Sequence, residues 1–301
     1  MSRAQLVDRG LHTTSDFPEL LTGTGQRVLR LAYGALSSSM KRAFRASTAV
    51  DFRLKQRLQL GEAPELLKVN EHGEFTSGSM AEAKESYGLA TYGRIFGISR
   101  QALVNDDLDG FGDMAARLGR AAAEFESQFL VTLITSNPAM GDGTALFHAN
   151  HGNLGTGGGS ALSVTALSTA RQAMRLQKGL DKKTPIDATP KFLIVPAALE
   201  TTAEQLLIQI TPAQPASVNP FVGKLDSIVE PRLDVVSQTA WYLAADPALI
   251  DTIEYSYLDS TNGPEVFMQD GFEVDGLQFK VRLDFGAGAL DWRGLWKSNG
   301  A

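Results

Sequence analysis

The sequence predicts an α+β protein, with one antiparallel sheet, one long amphipathic helix and an inserted α/β domain. Three observations carry that expectation. An apolar stripe recurs at intervals of three and four residues between about Asp107 and Ser136. Residues Leu277 to Phe285 alternate apolar and polar without a break. A short apolar run, Lys191 to Val195, stands between two helical stretches.

The chain has 301 residues, enough for one large domain or two smaller ones. Its 43 % hydrophobic and 21 % charged composition is that of an ordinary globular protein. No apolar run is long enough to predict a membrane-spanning helix. Met1 to Gly10 is polar and charged, unlike a secretory signal with an apolar centre. There is no cysteine, so neither disulfides nor thiolate metal sites are available, which fits a reducing cytosol. The net charge of −6 is unevenly spread. Residues 1–60 hold ten Lys or Arg against four Asp or Glu, while the rest hold 18 basic and 30 acidic groups. A basic stretch on an acidic body suits a local, sequence-neutral contact with nucleic acid through counterion release.

Taken in order, residues 1–48 show no sustained periodicity and read as an extended arm, with a helical turn or two around Gln26 to Leu36. From Phe52 to Leu60 the period becomes two: Phe52, Leu54, Leu58 and Leu60 share one strand face, and Arg53, Lys55, Arg57 and Gln59 the other. Glu65 to Val69 leads into Asn70 to Glu74, which has turn chemistry, and the polar stretch Thr76 to Ser86 leads back. This is a long charged hairpin with too few apolar residues for a core of its own, so it must pack on another subunit or stay mobile until it does. Leu89 to Ser99 reads as a strand.

The long helix follows. Asn105, Asp106 and Asp107 supply N-caps; Phe111, Ala115, Leu118, Ala122, Phe125, Phe129 and Leu133 form its stripe; Pro138 stops it. About 30 residues at 1.5 Å each span roughly 45 Å, which suits an elongated, flattened subunit. Residues 138–162 form a Gly-rich connector. A helix then runs from a Ser163 cap to Lys178 with Gly179 at C′, followed by the strand closed at Pro196 and a helix over Ala197 to Gln209. The last 60 residues form an antiparallel meander with turns at Asp270-Gly271 and Asp275-Gly276. Leu290, Trp292 and Trp296 continue its alternation past a kink at Gly286 to Gly288.

That order of parts resembles the subunit of Hong Kong 97-type (HK97-like) phage capsids. Four segments narrow the resemblance to Mu-like major head proteins and capsid proteins encoded as fusions to a prohead protease. They are Tyr92 to Leu108 (YGRIFGISRQALVNDDL), Leu146 to Leu154 (LFHANHGNL), Pro190 to Glu200 (PKFLIVPAALE) and Leu290 to Gly294 (LDWRG). The resemblance implies an N-terminal arm (1–48), an E-loop hairpin (49–88) and a peripheral domain with its spine helix (89–137). An axial domain (138–249) and completion of the peripheral sheet (250–301) follow. It implies a major capsid protein that self-assembles into pentamers and hexamers of an icosahedral shell around double-stranded DNA. The implied partners are other copies of itself, a scaffold or prohead protease, a portal and a decoration protein. The implied location is the virion capsid, assembled in the bacterial host cytoplasm. Candidate assembly residues are Arg42, Arg45 and Arg53 in the basic region and Lys68 and Lys84 in the E-loop.

Motifs that would argue for chemistry are weak. His148 and His151 form an H-x-x-H pair, but in a Gly- and Asn-rich loop with no carboxylate within three residues. The expected role of these imidazoles is to cap or hydrogen-bond a structured loop. The run Gly155 to Ser160 has no phosphate-loop Lys, and Ser160 stands where the last glycine of G-x-G-x-x-G belongs. There is no G-x-S-x-G elbow and no matched carboxylate pair, so no catalytic role, metal or cofactor is expected. Trp241, Trp292, Trp296, Phe279 and Phe285 read as packing residues. Two rival readings stand beside the phage shell: an encapsulin-like compartment, and a metal-dependent hydrolase using His148 and His151.

Overall fold

The structure is a computed structural model that describes residues 18–36, 38–60, 82–99, 114–180, 183–207, 221, 223–259, 261, 263–270 and 276–300. It has the expected α+β composition, and its chain divides into two compact units. Unit one comprises Met1–Ser38, Ala90–Glu126 and Tyr257–Phe285; unit two comprises Ser39–Leu89, Ser127–Ser256 and Gly286–Ala301. No described helix is long and apolar enough to cross a membrane.

The first helix, α1 (Pro18–Ala35), belongs to unit one and corrects the expected extended arm. Its glycines and threonines give poor intrinsic helicity, so tertiary contacts decide its state. Leu29 is fully buried with Ile98, Ala115, Val266, Phe279 and Val281. Gln26 accepts a hydrogen bond from the Val266 amide (2.8 Å) and donates to the Pro264 carbonyl (3.1 Å). A 3-10 turn (Ser39–Ala43) and strand β1 (Arg45–Ala49) of unit two follow, so the arm is ordered from Pro18 onward in its described part.

The hairpin is present as β2 (Lys55–Leu60) and β3 (Glu82–Tyr87), paired from Lys55↔Tyr87 to Leu60↔Glu82. The expected strand Glu65 to Val69 and its turn lie outside the described residues. Strand β4 (Ala90–Ser99) comes next, as expected. In unit one β11 (Gly276–Ala289) pairs antiparallel with β4, from Gly276↔Ser99 to Phe285↔Ala90. On its other edge it pairs with β10 (Glu265–Asp270), from Glu265↔Arg282 to Asp270↔Leu277. Phe279, Val281, Leu283 and Phe285 face the core, as the alternation requires.

The long helix α2 spans Met114–Ser136; its expected first turns lie outside the described residues. At Gly119 a Cβ would stand 2.4 Å from the Leu29 carbonyl oxygen, so only glycine lets α1 lie this close. The fully buried Glu126 carboxylate receives the hydroxyls of Tyr33 (2.8 Å) and Tyr257 (3.0 Å).

Unit two holds a five-stranded mixed sheet in the order β5 (Leu154–Gly155), β12 (Leu295–Ser298), β8 (Trp241–Ala245), β6 (Pro190–Val195), β7 (Asp226–Val229). Helices α3 (Val164–Arg175) and α4 (Glu200–Leu207) contribute Leu167, Ala170, Met174 and Ala203 to its core, against Leu193, Leu243, Trp241 and Trp296. Ser163 caps α3 by accepting the Ala166 amide at 3.1 Å. The helix stops at Arg175, short of the expected Lys178, and Gly179 instead pairs its amide with the Thr184 carbonyl in a later turn. The connector expected to be irregular carries a 3-10 turn, Ala149–His151, and strand β5.

The end of the chain also differs from the expected single meander. Strand β11 continues through Gly286 and Gly288 to Ala289. At Gly286 a Cβ would sit 2.4 Å from the Gly88 carbonyl oxygen, and at Gly288 2.5 Å from the Tyr87 Cβ, so both positions admit a neighbouring backbone. The chain then turns at Leu290 to Gly294, and β12 joins the sheet of unit two by pairing with β8. Both segments carry apolar side chains at period two, so the pattern alone does not reveal the change of sheet.

Candidate assembly site

The base of the hairpin is a heavily bonded polar site in unit two. Strand β9 (Ile253–Leu258) presents Glu254, whose side chain is fully buried. Burying a lone carboxylate is prohibitive, so the surroundings must compensate it. Arg57 does so with Nη2 at 2.7 Å and Nε at 3.0 Å from Oε2, and Lys55 Nζ stands 2.8 Å from Oε1. Tyr87 donates its hydroxyl to Oε1 at 2.5 Å and also meets the Ser256 hydroxyl. On β1, the Ser47 hydroxyl accepts from both Lys55 (2.6 Å) and Arg57 (3.0 Å).

Burial by itself would raise the Glu254 pKa. Donation from Arg57, Lys55 and Tyr87 outweighs burial and holds the carboxyl below its ordinary 4.5. The same contact, together with burial, pushes the Tyr87 hydroxyl up. The charged face of β2 therefore turns inward. Its apolar Leu58 is exposed instead, 63 % accessible, as are the residues leading into the strand: Val50 is 86 %, Phe52 50 % and Leu54 66 % accessible.

A second contact holds β3. Glu85 Oε1 accepts the Gly141 amide at 2.7 Å. Burial and the nearby charges of Asp142 and Asp291 raise the Glu85 pKa, against the lowering effect of that amide. Glu85 and Lys84 border a cleft of about 920 Å³ that also includes Asp142, His151, Trp292 and Arg293. Here the H-x-x-H pair is occupied as expected from its loop context. His148 Nδ1 accepts the Asn150 amide at 3.1 Å, capping the 3-10 turn. His151 stacks on Trp292 at 4.2 Å, with Nε2 2.8 Å from Asp142 Oδ2 and Nδ1 3.2 Å from the Leu146 carbonyl. The His151 contact and the Thr144 amide hold the Asp142 carboxyl low against the opposing effect of burial. Among the described residues no group of three or more His, Asp or Glu could hold a metal ion.

The four described candidate residues make separate contacts. Arg45 forms an ion pair with Asp251, Arg42 Nε donates to the Ser39 carbonyl at 3.5 Å, and Arg53 is exposed beside Asp51. Lys84 is exposed at the rim of the cleft, and Lys68 lies outside the described residues. Sequence reasoning missed Glu254, Lys55, Arg57 and Tyr87 as one cluster. The available signal was Glu254 and Ser256 on one face of an otherwise aromatic and aliphatic strand.

Comparison with known proteins explains the architecture. A family model described as phage capsid protein matches residues 82–298. No curated protein matches the sequence. Among solved structures, the capsid of Ralstonia phage GP4 superposes with a TM-score of 0.64 at 9 % identity, covering 88 % of this chain and 92 % of that one. Mycobacterium phage Adephagia gives 0.58 at 14 % identity, covering 99 % and 97 %. A virus-like particle from Pyrococcus furiosus gives 0.54 at 13 %, covering 92 % and 99 %. These likenesses establish the Hong Kong 97-type capsid fold, and with the family match extending over most of its length, the chain belongs to the phage capsid protein family.

Proposed function

We propose that this chain is the major capsid protein of a tailed phage, whose copies form pentamers and hexamers and close into an icosahedral shell around double-stranded DNA. The observation that carries the reading, beyond the family match, is the hairpin. Its charged face is consumed by Glu254, while Val50, Phe52, Leu54 and Leu58 stand exposed on one short stretch. A two-stranded ribbon holding an apolar face in water is costly alone and suited to burial against another copy. Closure is geometric: rigid units meet through large permanent interfaces built from many modest contacts.

The finer reading follows from the resemblance: the Mu-like branch, a separate prohead protease or scaffold, a portal, a decoration protein, and assembly in the host cytoplasm. The chain acts as a structural protein, not an enzyme. Contact with packaged DNA falls to Arg42 and Arg53, because Arg45 is held closely by Asp251, whereas Arg53 is almost fully exposed and its pair with Asp51 is long, 3.7 Å. Neutralising Arg42 and Arg53 together is expected to lower DNA retention without abolishing shells; unchanged retention would remove DNA from their role. An encapsulin-like compartment remains the second reading, favoured by the fold shared with the Pyrococcus furiosus particle. Co-expression separates the two: portal and terminase partners fill a phage shell with DNA, whereas a cargo enzyme fills a compartment.

The assembly role is tested by replacing Leu54 and Leu58 with serine and following sedimentation. Each leucine contributes about 2 kcal/mol of burial, so each replacement should weaken association more than tenfold. Sedimentation identical to the parent's would sink the role given to this face.

A further inference from the structure

The hairpin is attached to the rest of unit two in an unusual way. Among the described residues β2 and β3 pair only with each other, as a two-stranded ribbon. Nothing in the strand ladder fixes the direction in which that ribbon leaves the subunit. That task falls to its base, where three hairpin side chains converge on one acceptor outside the hairpin. Lys55 and Arg57 come from β2 and Tyr87 from β3, and all three reach the Glu254 carboxylate. Each strand of the ribbon is thus tied to one buried point.

We propose that Glu254 is a positioning residue for assembly, fixing the direction of the hairpin before the subunit meets its neighbours. The inference rests on the capsid reading above. Three features carry it. Charge-assisted hydrogen bonds are directional, and a bidentate guanidinium contact fixes an angle as well as a distance. The end of β3 is also packed closely, since neither Gly286 nor Gly288 has room for a Cβ against residues Gly88 and Tyr87. The base is also bonded on its other atoms: Ser47, Ser256 and the Thr48 carbonyl accept from Lys55, Ser47 accepts from Arg57, the Tyr87 oxygen receives the Ser256 hydroxyl, and Arg45 pairs with Asp251.

The lever arm makes the angle matter. Six residues of β2 extend about 20 Å, so a 10° tilt at the base displaces the far end by about 3 Å. That is enough to move the far end of the ribbon off its seat on a neighbour. An apolar replacement of the cluster could be equally stable, because buried ion pairs are weak sources of net stability. It would not specify a direction, and that difference separates positioning from simple stabilisation.

The test compares the full-length parent with Glu254→Gln, which keeps shape and removes charge, and with Lys55→Met/Arg57→Met in both backgrounds. Hydrogen exchange of unassembled subunits is read at residues 55–60 and 82–87, with β6 and β8 as internal reference. Shell diameters are read by electron microscopy. For Glu254→Gln the expected result is exchange at least tenfold faster in the hairpin, unchanged exchange in β6 and β8, and a broadened diameter distribution. Little further change is expected when Glu254→Gln is added to the two methionines. Unchanged hairpin exchange, uniform loosening of unit two, or shells as regular as the parent's would each overturn the proposal. If the parent itself forms no shells, it is the capsid reading that fails, and the exchange comparison alone decides the role of Glu254.

Discussion

At Glu254 a carboxylate with no access to solvent is held ionised by a lysine, an arginine and a tyrosine. Its pKa is depressed in the folded chain, so its contribution is fully present above the ordinary value of 4.5 and is lost as pH falls through the depressed value. Anchoring of the hairpin should therefore be constant from neutral pH down to 4.5 and weaken below it. Glu254→Gln should flatten this acid limb in a plot of melting temperature against pH, and cost about 1–3 kcal/mol at pH 7 through unsatisfied partners. A retained acid limb would assign it to another carboxylate. Glu85 has the opposite sign. Its raised pKa means that its contribution is present at low pH and lost as pH rises through that value. At neutral pH its charge opposes Asp142 and Asp291, so Glu85→Gln, which keeps the acceptor for Gly141, is expected to raise the melting temperature. A fall would show that the ionised form is the better partner for the amide.

Between elements, the contact of α1 with α2 depends on Gly119. Gly119→Ala places a methyl 2.4 Å from the Leu29 carbonyl and is expected to cost about 1–3 kcal/mol by forcing the helices apart. A neutral result in chemical denaturation would mean that α1 is not docked on α2 in solution. This is also where the sequence was least legible. Helix α2 and the alternation of β11 were readable because each carries its own periodic apolar signal, and strand β4 because of its aromatic and β-branched residues. Helix α1 was not, because the burial of Leu29 and the Gln26 bonds to Pro264 and Val266 are tertiary. The move of β12 into the second sheet was hidden for the same reason: Trp296 looks alike on either sheet, and pairing with β8 decides its place. For the hairpin, the two faces of β2 were legible but not their roles. Charge would ordinarily face water, and only the distant Glu254 turns Lys55 and Arg57 inward.

For the molecule as a whole, the fold class and the family followed from the order of elements, and the assembly contacts did not. A basic N-terminal region invited a nucleic-acid reading, yet the ion pairs of Arg45, Lys55 and Arg57 show much of that charge spent within unit two. Charge counts cannot separate a free cation from a paired one. The central claim is self-assembly into closed shells. Negative-stain electron microscopy of the full-length protein, expressed alone and again with scaffold or protease partners, tests it most directly. Closed icosahedral shells or capsomer rings in either preparation are expected; a persistent monomer in both would contradict the account.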